Sequence, residues 1–380
     1  MELHAHSLRP RLARGASTRW VIFALGAAFF TGLPKLPAAP FDYQIPNGYH
    51  AQQTTYYCGP GTMQMILDTP AVLNNYINPV LPSQNALYAS AQANNLEPWF
   101  TDPNGMAATL NAVDGAFHNY SWYNFNAINA ASRTIVNALA DYQVPAAALV
   151  YGGAHWVNIN GFRYTAVPGG YQLNGFYGRD PWPSAGSLGR SFYLAYNPRG
   201  WGRVFTPVGY GSAHWGGHYV TVVEPQGPEA PDPGTFDSTP PPPPIIPELN
   251  AAGAHQSALN DLAADSQLAA EPGLSGENAS QADEILLQYT NDPSNEGDWL
   301  VPYENGNGSH GVTGDVLIDA DTGVIDQASW YDTPQELSSV EANLQAEYSG
   351  QLPLDAIPEP GTLSIVLLGL AGVALRGRLR

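Results

Sequence analysis

A single cysteine, a single lysine and only 14 basic residues against 33 acidic ones mark this chain of 380 residues, and each scarcity closes off some chemistry. With one thiol, Cys58, there is no internal disulfide to staple a fold. The lysine is Lys35, near the N-terminus, so a lysine base or Schiff base in the body of the protein is excluded. Eight of the 14 basic residues lie towards the two ends, from Arg9 to Lys35 and from Arg376 to Arg380, which leaves the body more acidic than the formal net charge of -19 suggests. Phosphate binding needs a basic face, so nucleic acid is not an expected partner. Long apolar runs are scarce at the ends as well: Trp20–Phe30 and Leu363–Leu375 both fall short of the roughly 20 residues that span a bilayer.

What stands at those ends is nevertheless ordered. RPRLARGASTRWVIFALGAAFFTGLPKLPAAP places arginines, an apolar run, then small residues and prolines, the order of a secretory signal peptide with a mature start near Pro40; the alternative is a buried N-terminal helix. The C-terminal run covers about 20 Å of a roughly 30 Å hydrocarbon core, and the arginines that close it, Arg376, Arg378 and Arg380, suit a cytoplasmic stop. Pro358-Glu359-Pro360, an apolar segment and terminal arginines in that order resemble the PEP-CTERM sorting signal of Gram-negative bacteria. The resemblance implies export, transient inner-membrane anchoring, an exosortase-type sorting enzyme as partner, and release towards the cell surface or extracellular matrix. A simple tail anchor is the other reading.

Composition divides the chain into a signal region (1–39), a first domain (40–223), a proline-rich linker (224–248), a small accessory α+β domain (249–356) and a sorting segment (357–380). The proline density of EPQGPEAPDPGTFDSTPPPPPIIPE favours an extended spacer over helix or central strand. In the first domain, helical spacing predicts helices over Gly61–Asp68, Ser83–Asn95 and Ala127–Tyr142. Strand signals follow over Pro145–Tyr151, Trp156–Tyr164, Tyr171–Tyr177 and Tyr219–Val223. Helices first and an antiparallel sheet after is the order of an α+β domain. The accessory part predicts a helix over Ser257–Ala270, strands over Asp298–Tyr303 and Gly314–Asp319, and a hairpin turn at Asp319–Gly323 into a strand over Val324–Tyr331. DADTG is read as that turn and not as a calcium loop, because Val324 stands where an EF-hand requires glycine. WLVPYEN and GDVLIDADTGVIDQASWYD resemble small PepSY-type modules of secreted bacterial proteins, and no chemistry is assigned to them.

In an oxidising compartment a retained free thiol points to reactivity; the alternative is a small buried hydrophobe. Cys58 precedes Gly59-Pro60-Gly61, and proline in a first helical turn puts the sulfur at a helix N-terminus, where the dipole favours an anion. A nucleophilic thiolate needs an imidazole, and the imidazole needs a third group to fix its tautomer. His155 in YGGAHWVNINGF opens a strand after a Gly-Gly turn, and Asp180 in NGFYGRDPW follows the next strand, so one hairpin end would carry both. Their plainer readings are a hydrogen-bonded structural histidine and a turn carboxylate. Gln52 offers a side-chain amide to an oxyanion, with the Cys58 N–H as second donor, and Gln53 competes for the role. His218 in GGHYVTVVEP is the rival histidine, followed by Asp232 in the linker. His214 and His218 could bind zinc from one helix face, but Gly216-Gly217 between them argues against that helix. The 9 Trp and 21 Tyr suit either a carbohydrate-binding surface or the filling of core and sheet faces.

Three stretches, Q-x5-C-G-P (Gln52, Cys58, Gly59, Pro60), G-x-H-W-V-x-I-x-G-F (Gly153–Phe162) and D-P-W (Asp180–Trp182), together resemble the papain-like bacteriocin-processing peptidases, cysteine peptidase family 39, over roughly Tyr43–Val223. The resemblance implies a papain-like fold, a peptide or protein substrate and no metal or organic cofactor. It implies Cys58 as nucleophile, His155 as general base and acid, Asp180 as orienting carboxylate and Gln52 as oxyanion donor. Tyr57 stands where the transporter-linked members carry Asp, and the chain has no ATP-binding cassette, so cutting double-glycine leaders during export is not expected. The expected activity is that of an exported cysteine peptidase. The alternatives are a surface or matrix binding protein that keeps the fold with little turnover, and an amidase or acyltransferase using the same groups.

Overall fold

The computed structural model describes residues 40–224 and 297–348, apart from 77–78, 168–169, 183–187, 210, 305–310 and 321–323, and adds 235–237, 285–287 and positions 254, 256, 258 and 259. The expected signal region, nearly all of the proline-rich linker, most of the helix expected over Ser257–Ala270, the tip of the turn at 321–323 and the sorting segment lie outside the described residues.

Strand β3 (Ala146–Val150) shows how the layers arise, because it is buried along its whole length and has no polar side chain. Side chains alternate across a strand, so the two faces of β3 serve two different cores. Ala146, Ala148 and Val150 pack with Ile135, Val136 and Leu139 of helix α5 (Ile128–Tyr142). Ala147 and Leu149 pack with Ile66 and Leu67 of α1 (Cys58–Leu67), Leu87 of α3 (Gln84–Asn94) and Leu110 of α4 (Pro103–Asp114). Burying each valine, leucine or isoleucine among them contributes about 1.5–3 kcal/mol and each alanine less, so the sheet is held from both sides.

Around β3 the strands β1 (Phe41–Gln44), β2 (Ser121–Phe125), β4 (His155–Val167), β5 (Gly170–Arg179), β6 (Ser191–Ala195) and β7 (Tyr219–Val223) form an antiparallel sheet. Its order is β2-β7-β3-β4-β5-β6, β1 pairs with β4, and a short strand β8 (Thr235–Asp237) pairs in parallel with β5. Short helices α2 (Pro70–Leu73) and α6 (Trp201–Val204) complete this part. The result is a mixed α+β fold, with each expected helix and strand of the first part present to within a few residues.

A second sheet, β12 (Ile325–Gln335), β11 (Val312–Asp319), β10 (Asp298–Glu304) and β9 (Ile285–Leu287) in that order, follows in the chain. One face packs Val301, Tyr303, Val316 and Ile318 against Tyr177, Tyr193 and Ala195 of β5 and β6. The other face packs Leu300, Val312 and Leu317 against Val340 and Leu344 of helix α7 (Leu337–Tyr348). The two sheets therefore share a core. Among the described residues no helix is long and apolar enough to cross a membrane.

Candidate active site

Helix α1 starts at Cys58, with Tyr57 as its N-cap residue and Pro60 in its first turn. The first N–H groups of a helix have no partner within it, so the thiol stands at the positive end of the helix dipole. The helix is anchored on the sheet, where the Thr62 hydroxyl donates to the Trp156 carbonyl at 3.2 Å. Cys58 is 4% exposed.

The reversal between β3 and β4 delivers the histidine. Tyr151, Gly152 and Gly153 hold φ values of 52°, 67° and 95°, a left-handed run that costs an L side chain roughly 1–2 kcal/mol per residue. Two of the three positions are glycine for that reason, and Tyr151 carries the strain. The turn is pinned from outside by the Thr206 hydroxyl, which accepts the Gly152 N–H at 2.8 Å, and by the Gly209 N–H, which donates to the Gly152 carbonyl at 3.0 Å. His155 is the first residue of β4.

Asp180 follows Arg179, the last residue of β5, and β4 and β5 are antiparallel neighbours with Asn158 opposite Arg179. The hairpin end expected from sequence therefore carries both groups: His155 Nε2 lies 2.7 Å from Asp180 Oδ1. The same carboxylate oxygen accepts the Trp182 N–H at 2.8 Å. The His155 ring also hydrogen-bonds the Cys58 side chain. With Nε2 held by the carboxylate, Nδ1 is the ring nitrogen left for the sulfur. Burial alone disfavours the imidazolium, but the Asp180 carboxylate, and after it Cys58, outweigh that effect and push the His155 pKa up to about 10. The arrangement can keep an imidazolium beside a sulfur at neutral pH.

Gln52 is buried and tied to the Asp180 turn, its backbone N–H donating to the Pro181 carbonyl at 2.6 Å. Its Nε2 donates to the Thr54 carbonyl at 2.8 Å, and its Oε1 is buried with no hydrogen-bond partner. Gln53 is exposed, and only its backbone is engaged, on Gln84 Oε1 at 2.9 Å. Of the two glutamines, Gln52 is the one whose amide is held inside.

Sequence reasoning missed Gln84, which organises this strip. It is 1% exposed and donates through Nε2 to the Ala51 carbonyl at 2.8 Å and to Gln64 Oε1 at 2.9 Å, so it fixes the backbone on both sides of Gln52. The available signal was its spacing: Gln84, Leu87 and Ala91 share one helical face, and a polar group among apolar ones there needs buried partners.

The rival histidine takes a different place. His218 precedes β7 as expected, its carbonyl accepts the Val208 N–H at 2.9 Å, and its ring Nδ1 is buried without a hydrogen-bond partner. Asp232 lies outside the described residues. His214 instead meets Glu97, Nδ1 to Oε1 at 3.0 Å, in a turn and not on a helix. Among the described residues no group of three His, Cys, Asp or Glu side chains is placed to hold a metal ion. Trp156, Trp201 and Trp215 are fully buried, so these three fill core and not a sugar-binding face. The chain matches no family model and no curated protein sequence.

Proposed function

We propose that the protein is an exported papain-like thiol hydrolase, a cysteine peptidase, with Cys58, His155 and Asp180 as its working groups. One observation carries the reading: a single imidazole is held between a buried carboxylate at 2.7 Å and the thiol at a helix start. In this reading the Cys58 sulfur attacks the amide carbonyl carbon, and the carbonyl electrons move to oxygen. The oxyanion is received by the Cys58 N–H and the Gln52 amide, which would turn its second N–H to the site. His155 gives its proton to the leaving nitrogen as the C–N bond breaks, leaving a thioester. Water then attacks the thioester while His155 takes its proton, and the acid and the thiol are released. Asp180 holds the ring tautomer and the charge that forms on it. No metal or organic cofactor enters these steps.

Export and sorting rest on the sequence at the two ends, and with them the exosortase-type partner and the transient membrane anchoring. A second reading is favoured by the low exposure of Cys58 and His155, 4% and 7%: a matrix binding protein that keeps the fold without turnover. An amidase would differ from the peptidase only in substrate. Incubation of the purified protein with a peptide library, wild type against Cys58→Ser, separates these readings. Cleavage that vanishes in the variant is the expected result. A library untouched by wild type would remove the peptidase.

A further inference from the structure

The second sheet reaches the site through the backbone. The Asp180 N–H donates to the Arg190 carbonyl at 3.1 Å, and the Arg190 N–H donates to the Trp330 carbonyl of β12 at 2.8 Å. Gly189 forms a parallel bridge to Trp330 in the same place. Gly189 has φ of 63°, and a Cβ there would stand 2.6 Å from the Trp330 carbonyl oxygen and 2.9 Å from the Tyr331 ring, so the sequence keeps a glycine where the two segments meet. Beside this contact, Asn197 bonds Asp326, Arg203 bonds Gln327, and Arg199 pairs with Asp298 and Asp319, all four of the partners lying on β10, β11 or β12. Four buried polar groups and a shared apolar core are more than a tethered module needs, and two of the four, Asp326 and Gln327, lie on β12, the strand whose Trp330 carbonyl holds Arg190.

We propose that Trp330 is a positioning residue for the thiol site, acting through the Arg190 backbone, so that the second sheet is a built-in activator that fixes the Asp180 carboxylate against His155. This rests on the thiol-hydrolase reading for its consequence, but not for its test. Unsupported, Arg190 would lose the hydrogen bond that holds its carbonyl in place for the Asp180 N–H, and the carboxylate would spend less time on the ring.

The test uses the full-length protein and two variants that disturb the contact from opposite sides. Gly189→Val pushes a side chain into the Trp330 carbonyl, and Arg199→Ala removes the pairing with Asp298 and Asp319 on the second sheet while leaving Asp180, Arg190 and Trp330 unaltered in sequence. In both, NMR titration of the His155 ring is expected to move down by at least one pH unit from the wild-type value, while a cooperative melt shows that the fold persists. Wild-type hydrogen exchange gives a readout free of any folding defect: the Arg190 amide should exchange together with the β11–β12 amides. A His155 titration unchanged in both folded variants, or an Arg190 amide that exchanges with β5–β6 and independently of β12, would overturn the positioning role. Loss of the wild-type cleavage itself would instead remove the peptidase reading and leave this result standing.

Discussion

His155 illustrates how a buried ring keeps a charge. Its ordinary pKa is near 6.5, and the folded value is pushed up to about 10, so the native state binds a proton that the unfolded chain gives up between those limits. The stabilisation is therefore complete below pH 6.5 and is lost as pH rises through about 10. Replacing Asp180 by Asn should remove the main cause of the rise and leave burial, which acts the other way. Thermal melts at pH 6 should show Asp180→Asn less stable by about 3–5 kcal/mol, the range for breaking a buried pair, with the gap narrowing above pH 10. An equal gap at both pH values would mean that charge is not what the carboxylate supplies. Gln52 makes a second prediction at this scale. Gln52→Ala should lower kcat by about 100- to 1000-fold with KM nearly unchanged, while Gln53→Ala leaves both alone, as steady-state kinetics on any cleaved peptide would show.

Among the elements, those with a strong repeat were legible and those held by polar side chains were not. The period-2 run Tyr219–Val223 and the apolar spacing of Ile128–Tyr142 declared themselves, and Ser83 caps α3 by accepting the Ala86 N–H at 3.2 Å. Helix α4 was missed because DPNGMAATLNAVD opens on turn residues, yet those residues are its cap. Asp102 is fully buried and accepts N–H groups from Gly105 at 2.6 Å and Glu97 at 2.9 Å, as well as from Leu96. An ordinary N-cap is worth about 1–2 kcal/mol, and this one also satisfies a loop. Asp102→Ala should cost at least that much in urea unfolding, and Asp102→Asn, which keeps an acceptor, should cost less. Strands β1, β2 and β6 also escaped: FDYQ, SWYNF and SFYLA are short and lack the β-branched residues that mark Tyr219–Val223. The candidate site residues were legible from local signals. Cys58, His155 and Asp180 are each marked by local chemistry, a Pro-started helix, a Gly-Gly turn and a strand end, whereas Gln84 is marked only by its neighbours in space.

For the whole molecule, the sequence suggested two parts separated by proline, and the second sheet shares a core with β5 and β6. Composition reads the connection but not the packing, since Tyr177 and Tyr193 look like any sheet-face aromatics until Val301 and Tyr303 cover them. Packing that close buries carboxylates. Asp315 is fully buried, and desolvation raises its pKa from 3.8 to about 7 against the Tyr331 hydroxyl, which donates to it and pulls the other way. Its folded value lies above the unfolded one, so its contribution is whole below pH 3.8 and is lost as pH rises through about 7, at most about 1.4 kcal/mol per pH unit. Asp315→Asn should flatten the pH dependence of the unfolding free energy across that window and raise stability at pH 8; an unchanged slope would refute the assignment. The central claim, that the fold brings a thiol and an imidazolium together for nucleophilic attack, is tested most directly by the rate at which iodoacetamide alkylates Cys58 at pH 6. Wild type should react faster than free cysteine and His155→Ala at least about tenfold slower than wild type, because the variant loses the imidazole that hydrogen-bonds the sulfur. A wild-type rate no greater than that of free cysteine, and equal in His155→Ala, would contradict it.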